Sequence, residues 1–143
     1  MQSANPPPHH RRIAVIVPCF NEGVAIGKVI ADFRTSLPSA SIYVYDNAST
    51  DDTVETARRH GAIVRTEILR GKGNVVRRMF ADVEADIYVL ADGDGTYDAA
   101  GAPAMIEQLV AGHLDMVVGC RLTQFEGEAF RRGHRFGNDL LTG

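Results

Sequence analysis

Short apolar runs alternate along this chain with segments whose apolar residues recur every three to four positions, and that alternation limits the fold more than any other feature. Residues 13–17 form a compact run stopped by Pro18. Val24, Ile26, Val29, Ile30, Phe33 and Leu37 then share one helical face, which Pro38 closes. Residues 42–45 read as a second strand, 51–60 as a short helix opened by Ser49 or Thr50 and closed by Gly61, and 62–66 as a third strand. Val75, Val76, Met79, Phe80 and Val83 give another helix, 87–91 a fourth strand, Met105, Ile106, Leu109 and Val110 a further helix, and 115–119 a fifth strand. The order β-α-β-α-β-α-β-α-β predicts an α/β fold, a mostly parallel sheet flanked by helices with right-handed crossovers. The run from Ile87 to Ala91 shows no polar alternation, so it is expected inside the sheet with both faces buried.

In such folds ligands bind beyond the carboxyl ends of the strands, and the unusual residues lie there. The fourth strand ends in Asp92, Gly93 and Asp94, two carboxylates around a glycine that permits a sharp bend. Hard oxygen ligands of this kind suit a divalent cation that holds a diphosphate, although an acidic turn accounts for the same residues. After the first strand come Pro18, Cys19, Phe20, Asn21 and Glu22, where Asn21 suits a helix N-cap and Glu22 the positive end of the helix dipole. After the second strand, Ser49 and Asp52 have the spacing of a capping box. Capping leaves Asp46 unexplained, and its carboxylate could accept hydrogen bonds from the N–H edge of a nucleobase. Arg70, Gly71, Lys72, Gly73 and Asn74 open a helix and suit a phosphate cradle, with a solvated Lys72 as the plainer alternative. Neither a Walker loop nor a dinucleotide fingerprint fits: Thr66 and Gly73 break the first, and Val76 breaks the second.

Taken in order, residues 13–22, 46–51, 70–73, 92–94 and 119–121 resemble the family 2 glycosyltransferases, which have a GT-A fold, a Rossmann-like nucleotide-diphospho-sugar transferase sandwich. The branch most alike includes dolichol-phosphate mannose synthase and bacterial polyprenyl-phosphate glycosyltransferases. The resemblance implies a nucleotide-diphosphate-sugar donor, with Pro18, Phe20, Glu22 and Asp46 holding the nucleoside and Lys72 near the donor. It also implies that Asp92 and Asp94 form an Asp-x-Asp motif, with Asp94 as the direct metal ligand and Asp92 also near the ribose. Arg121 would approach the diphosphate or the acceptor phosphate, so Asp92, Asp94 and Arg121 form the implied catalytic set. Cationic side chains and a divalent ion stabilise negative charge on a departing nucleoside diphosphate. Magnesium and manganese both fit oxygen ligands, and the chain has no compact His/Cys set that favours zinc.

Near the end of the sequence, Arg131, Arg132 and Arg135 surround His134, with Phe130, Phe136, Leu140 and Leu141 supplying apolar surface. That combination suits an anionic lipid phosphate at a membrane face, and a solvated basic turn is the alternative. An ionised phosphate acceptor needs no catalytic base, whereas a sugar hydroxyl does. Inversion is what the family resemblance implies, and the reading is an inverting transferase that moves the donor's sugar to a dolichyl or undecaprenyl type of polyprenyl phosphate. A non-catalytic nucleotide-sugar-binding or assembly module is the alternative, and a sugar-nucleotide pyrophosphorylase, which would carry a glycine-rich loop near its start, fits less well.

The family's catalytic domains continue past this point, which implies a truncated domain over residues 13–143 with the acceptor-side part missing and with apolar surface available for homo-oligomer formation. Residues 1–12, with three consecutive prolines, are expected as a disordered tail. A net charge of -3 argues against a nucleic-acid partner. Two cysteines without a Cys-x-x-Cys pair, and no signal-peptide pattern, suggest buried thiols in a cytoplasmic protein that can attach peripherally to the membrane.

Overall fold

The computed structural model describes residues 11–119, so residues 1–10 of the tail expected at 1–12, and the expected roles of Cys120, Arg121, Arg131, Arg132 and Arg135, lie outside the described residues. Arg12 is held beside Asp86 and Ile87, its amide donating to Asp86 Oδ2 at 2.7 Å and its carbonyl accepting the Asp86 and Ile87 amides. The chain divides into two compact units, one ending at Ala102 and the other starting at Pro103. Four strands, β1 (Ile13–Cys19), β2 (Ser41–Asp46), β3 (Ile63–Thr66) and β4 (Ile87–Leu90), form one sheet in the order β3-β2-β1-β4. Every pairing is parallel. Helices α1 (Ile26–Ser36), α2 (Thr53–Arg59) and α3 (Lys72–Asp82) connect them, and a short 3-10 turn at Ala99–Gly101 leads into α4 (Ala102–Ala111). No helix among the described residues is long and apolar enough to cross a membrane.

Period-two alternation sorts the core onto two faces. Ala14, Ile16 and Tyr45 point to one face, where they pack with Val75 and Met79 of α3 and with Val83. Val15, Val17 and Val44 are equally buried on the other, and Ile26, Ile30 and Phe33 of α1 and Ala57 of α2 are buried too. The strand order reverses at β1, because β2 and β3 extend to one side and β4 to the other. In an open parallel sheet a crevice opens at such a switch point, outside the carboxyl ends of the two strands.

Several expectations change. Pro18 does not stop β1, which continues to Cys19 opposite Asp46. The Ala91 amide bonds to the Ile16 carbonyl and the Asn47 amide to the Cys19 carbonyl, so Pro18 faces the β4 side, where the ladder has already ended at Ile16 and Leu90. Its missing N–H costs no ladder bond there. Val24 is fully exposed and precedes α1. Helix α2 begins only at Thr53, and Gly61 closes it with φ +81° as expected. Phe80 faces outward on α3, half exposed, with its ring edge-on to Tyr88 at 5.1 Å.

Two corrections concern the far side of the sheet. Among the described residues β4 is an edge strand, not a central one, and Leu90 is 47% exposed. The expected fifth strand at 115–119 has no strand assignment and no ladder partner among the described residues, and Met116 and Val118 are exposed. Apolar content signals an extended segment, but only a hydrogen-bonded neighbour makes it a strand.

Ile16, fully buried between the central ladder and α3, should lose about 2–5 kcal/mol of stability as Ile16→Ala. Phe80→Ala should cost clearly less, because half of that side chain already meets solvent. Urea midpoints of the two variants test the order, and equal losses would mean that the α3 face is not the main core.

Candidate functional site

The loops after β1 and β2 are bound to each other by side chains that accept from main-chain amides. Asn21 takes φ +51°, donates its amide to Ser49 Oγ at 2.9 Å and accepts the Thr50 amide on Oδ1 at 2.8 Å. The Glu22 amide donates to Thr53 Oγ1 at 2.9 Å, and the Gly23 amide to Asp51 Oδ2 at 3.0 Å. Asn21 is therefore no N-cap, and α1 starts after Ala25 with no side-chain cap at all. The Ser49–Asp52 capping box is also absent, since Ser49 serves Asn21 and Asp52 makes no cap bond. Asp51 takes over that work, accepting from the Thr53 amide at 3.0 Å and from the Thr53 hydroxyl. The Thr53 hydroxyl, ahead of the backbone donors, holds the exposed Asp51 carboxyl below its ordinary range.

Asp46 ends β2 almost fully buried and accepts the Ser49 amide with both oxygens at 3.2 and 3.3 Å. One residue past the end of β1, the Phe20 ring is half exposed, with the Arg70 guanidinium 5.8 Å from its centroid. Arg70 belongs to the expected phosphate loop, but its contact with Phe20 had no local signal in the sequence.

An open cleft of about 250 Å³ lies at the carboxyl ends of β1 and β4 and brings together Pro18, Phe20, Glu22, Lys72, Asp92 and Asp94. Lys72, in the first turn of α3, forms an ion pair with Asp92. Asp94 accepts from the Thr96 amide at 3.0 Å and the Thr96 hydroxyl at 2.7 Å, which fixes the turn after β4. Gly93 sits tightly over Cys19, where an added Cβ would lie 2.5 Å from Sγ. Burial, and after it the nearby carboxylates of Glu22, Asp46, Asp92 and Asp51, drives the Cys19 thiol far above its ordinary range, which disfavours the thiolate. Glu22 is raised above 4.5 by desolvation first, then by Asp94 and Asp92.

Glu22, Asp92 and Asp94 thus line one cleft, close enough that the two aspartates help to raise the Glu22 carboxyl. Among the described residues no group of three or more His, Cys, Asp or Glu side chains is spaced to enclose an ion by itself. Two carboxylates at an open cleft match a cation that completes its shell with phosphate oxygens and water, the manner in which magnesium is held in phosphate-transfer sites. The donor chemistry therefore fits a hard divalent ion shared with a diphosphate.

The family described as Glycosyl transferase family 2 matches residues 14–141. This chain belongs to glycosyltransferase family 2. Its relatives in the family include Protein RfbJ of Shigella flexneri, 58% identical over 127 residues, which cover 89% of this chain and 98% of RfbJ. A dolichyl-phosphate hexose transferase of Haloferax volcanii is 32% identical over 126 residues, covering 88% of this chain and 54% of that protein. Among solved structures, glucosyl-3-phosphoglycerate synthase of Mycobacterium tuberculosis in complex with Mn2+, UDP-glucose and phosphoglyceric acid superposes with a TM-score of 0.63 at 28% identity, covering 71% of this chain and 40% of that one. These solved glycosyltransferase structures share the parallel α/β sheet of this GT-A fold. The chain spans nearly all of RfbJ and about half or less of the two longer relatives.

Two consequences can be measured. Gly93→Ala should destabilise the protein by about 1–3 kcal/mol through overpacking against Sγ, and Cys19→Ala in the same chain should recover part of the loss. A double-mutant cycle in denaturant reads that coupling, and strict additivity would show that the contact is not tight. The raised Glu22 carboxyl binds its proton more firmly in the folded state, so its unfavourable contribution is absent in acid and develops as pH rises from 4.5 through the raised value. Glu22→Gln should therefore gain melting temperature relative to wild type across that rise, in metal-free buffer, and a constant difference would count against the charge crowding.

Proposed function

We propose that this chain forms the donor-binding part of an inverting, metal-dependent glycosyltransferase that moves a sugar from a nucleotide diphosphate to a polyprenyl phosphate. The observation that carries the reading is the gathering of Glu22, Lys72, Asp92 and Asp94 in one cleft at the switch point of a parallel sheet, with Asp46 ending the neighbouring strand. The names of two similar proteins support its two halves. A structural neighbour holds Mn2+ and UDP-glucose, and a relative is called a dolichyl-phosphate hexose transferase.

In this reading Pro18 and the exposed face of Phe20 border the nucleoside, and Asp46 accepts from the base on lone pairs that the Ser49 amide leaves available. Asp92 and Asp94 would hold the magnesium or manganese ion, with Glu22 adding negative potential beside them. When bound, such an ion neutralises charge building on the leaving diphosphate. Lys72, now paired with Asp92, would be placed to pair with a donor phosphate when that carboxylate holds a cation instead. A lipid phosphate is already anionic at neutral pH, so a single displacement needs neither a protein nucleophile nor a general base and inverts the anomeric carbon. Arg121, and the cluster of Arg131, Arg132 and Arg135, are proposed for the diphosphate and acceptor phosphate. Attachment of the protein to the cytoplasmic membrane face follows from such an acceptor.

A second reading is a binding module without transfer, because Glu22, Lys72, Asp92 and Asp94 in one cleft serve donor binding whether or not transfer follows. Calorimetry with a panel of nucleotide sugars separates binding from transfer when paired with an assay on undecaprenyl phosphate. Asp94→Asn should weaken Mn2+-dependent donor binding about tenfold or more, consistent with loss of a charged ligand worth at least ~1.4 kcal/mol. Equal affinity with and without metal would overturn the site. Retention in the product, read by NMR, would overturn the single displacement, and binding without transfer would favour the module.

A further inference from the structure

Asn47, immediately after β2, has a part that capping or strand chemistry does not supply. It is buried, and its side chain makes three bonds to one distant loop. Nδ2 donates to the Glu67 carbonyl at 2.7 Å and the Leu69 carbonyl at 2.9 Å, while Oδ1 accepts the Gly71 amide at 2.9 Å. Its own amide donates to the Cys19 carbonyl at 2.9 Å, which fixes it to the end of the central strand. Ala48 follows with φ +61°, an uncommon backbone state for a residue with a Cβ.

The loop that Asn47 holds, residues 67–71, leads directly into Lys72. Besides these bonds, the Glu67 amide donates to the Asp46 carbonyl at 2.9 Å, while Glu67 Oε1 accepts the Leu69 amide at 2.8 Å and Oε2 lies 3.8 Å from the Arg78 guanidinium. The Arg70 guanidinium stands over Phe20, Asn74 Nδ2 donates to the Arg70 carbonyl at 3.0 Å, and the Gly71 carbonyl accepts the Asn74 and Val75 amides. Among the described residues, Asn47 alone reaches three residues of the loop through one side chain. Ile68 and Leu69 are exposed, so burial of their side chains does little to hold the loop. Gly71 takes φ +118°, a conformation suited to glycine, and its amide is the last anchored group before α3 begins. One amide side chain, which can donate twice and accept, matches two carbonyls and an N–H; aspartate keeps the acceptor and turns oxygen toward both carbonyls.

We propose that Asn47 is a positioning residue for the donor phosphates, fixing the 67–71 loop and through it the placement of Lys72 across the cleft. This inference rests on the proposed function for the part that concerns phosphate, and on geometry alone for the part that concerns the loop. The structural part is tested by hydrogen exchange on the whole chain without ligand. Asn47→Asp and Asn47→Ala should each speed amide exchange at Leu69 and Gly71 by about tenfold or more, while amides of the central strands keep their protection. Unchanged exchange at Gly71 would overturn the proposal, and a variant that loses protection throughout would show Asn47 to be a fold residue and overturn it too.

The functional part is tested by calorimetry with uridine diphosphate and guanosine diphosphate, each with Mn2+. Lys72→Ala should weaken binding in the wild-type background and have much less effect in an Asn47→Ala background, because a displaced lysine has little left to lose. Full additivity would overturn the positioning role. If wild type binds neither nucleotide, the reading of the cleft fails while the exchange result still decides whether Asn47 holds the loop.

Discussion

Everything at the carboxyl edge depends on the parallel register of β1 with its two neighbours. Cys19 stands opposite Asp46 on one side, and Ile16 stands opposite Leu90 on the other. With the strands aligned this way, three loops emerge near one level although their residues are far apart in the chain. The ladder itself is non-polar and dry, from Ala14 to Val17, so a slip by one residue would turn the α3-facing side chains to the other face. The register is thereby fixed by the core, and the site inherits that accuracy without spending its own side chains on it.

Above this base the molecule uses two kinds of polar contact with different consequences. The bonds among Asn21, Ser49, Thr50, Asp51 and Thr53 satisfy main-chain amides at loop ends, which would otherwise need water or a cap. They make the first two loops one body. The contacts at the acidic turn are different, because Lys72 and Asp92 are partly exposed and their ion pair is accessible to solvent ions. Exposed pairs of that sort contribute little to stability, so exchanging the lysine for another cation is inexpensive. A rigid frame therefore surrounds an electrostatically exchangeable centre.

The sequence made most elements legible because their signals are local. Helical spacing located α1 and α3, and the carboxylates of Asp92 and Asp94 followed a clear apolar run. The loop chemistry was less legible for a definite reason. Capping rules relate residues three apart, whereas Asn21 and Glu22 bond to partners 28 to 31 positions away. Asn47 carries no local signal, since its three partners become neighbours only when β2 and β3 pair. The edge position of β4 was equally hidden, because apolar content at Ile87 and Val89 measures the wish to be covered and cannot identify the neighbour.

The contact between Gly93 and Cys19 has a practical consequence for observing this protein. The sulfur lies beneath the glycine that joins the two aspartates, with burial and surrounding acids keeping it protonated. An alkylating reagent can reach it only when that turn lifts, and only the ionised sulfur reacts quickly. The rate of thiol modification at this one position is thus a clock for excursions of the acidic turn, read without attaching a probe to either aspartate.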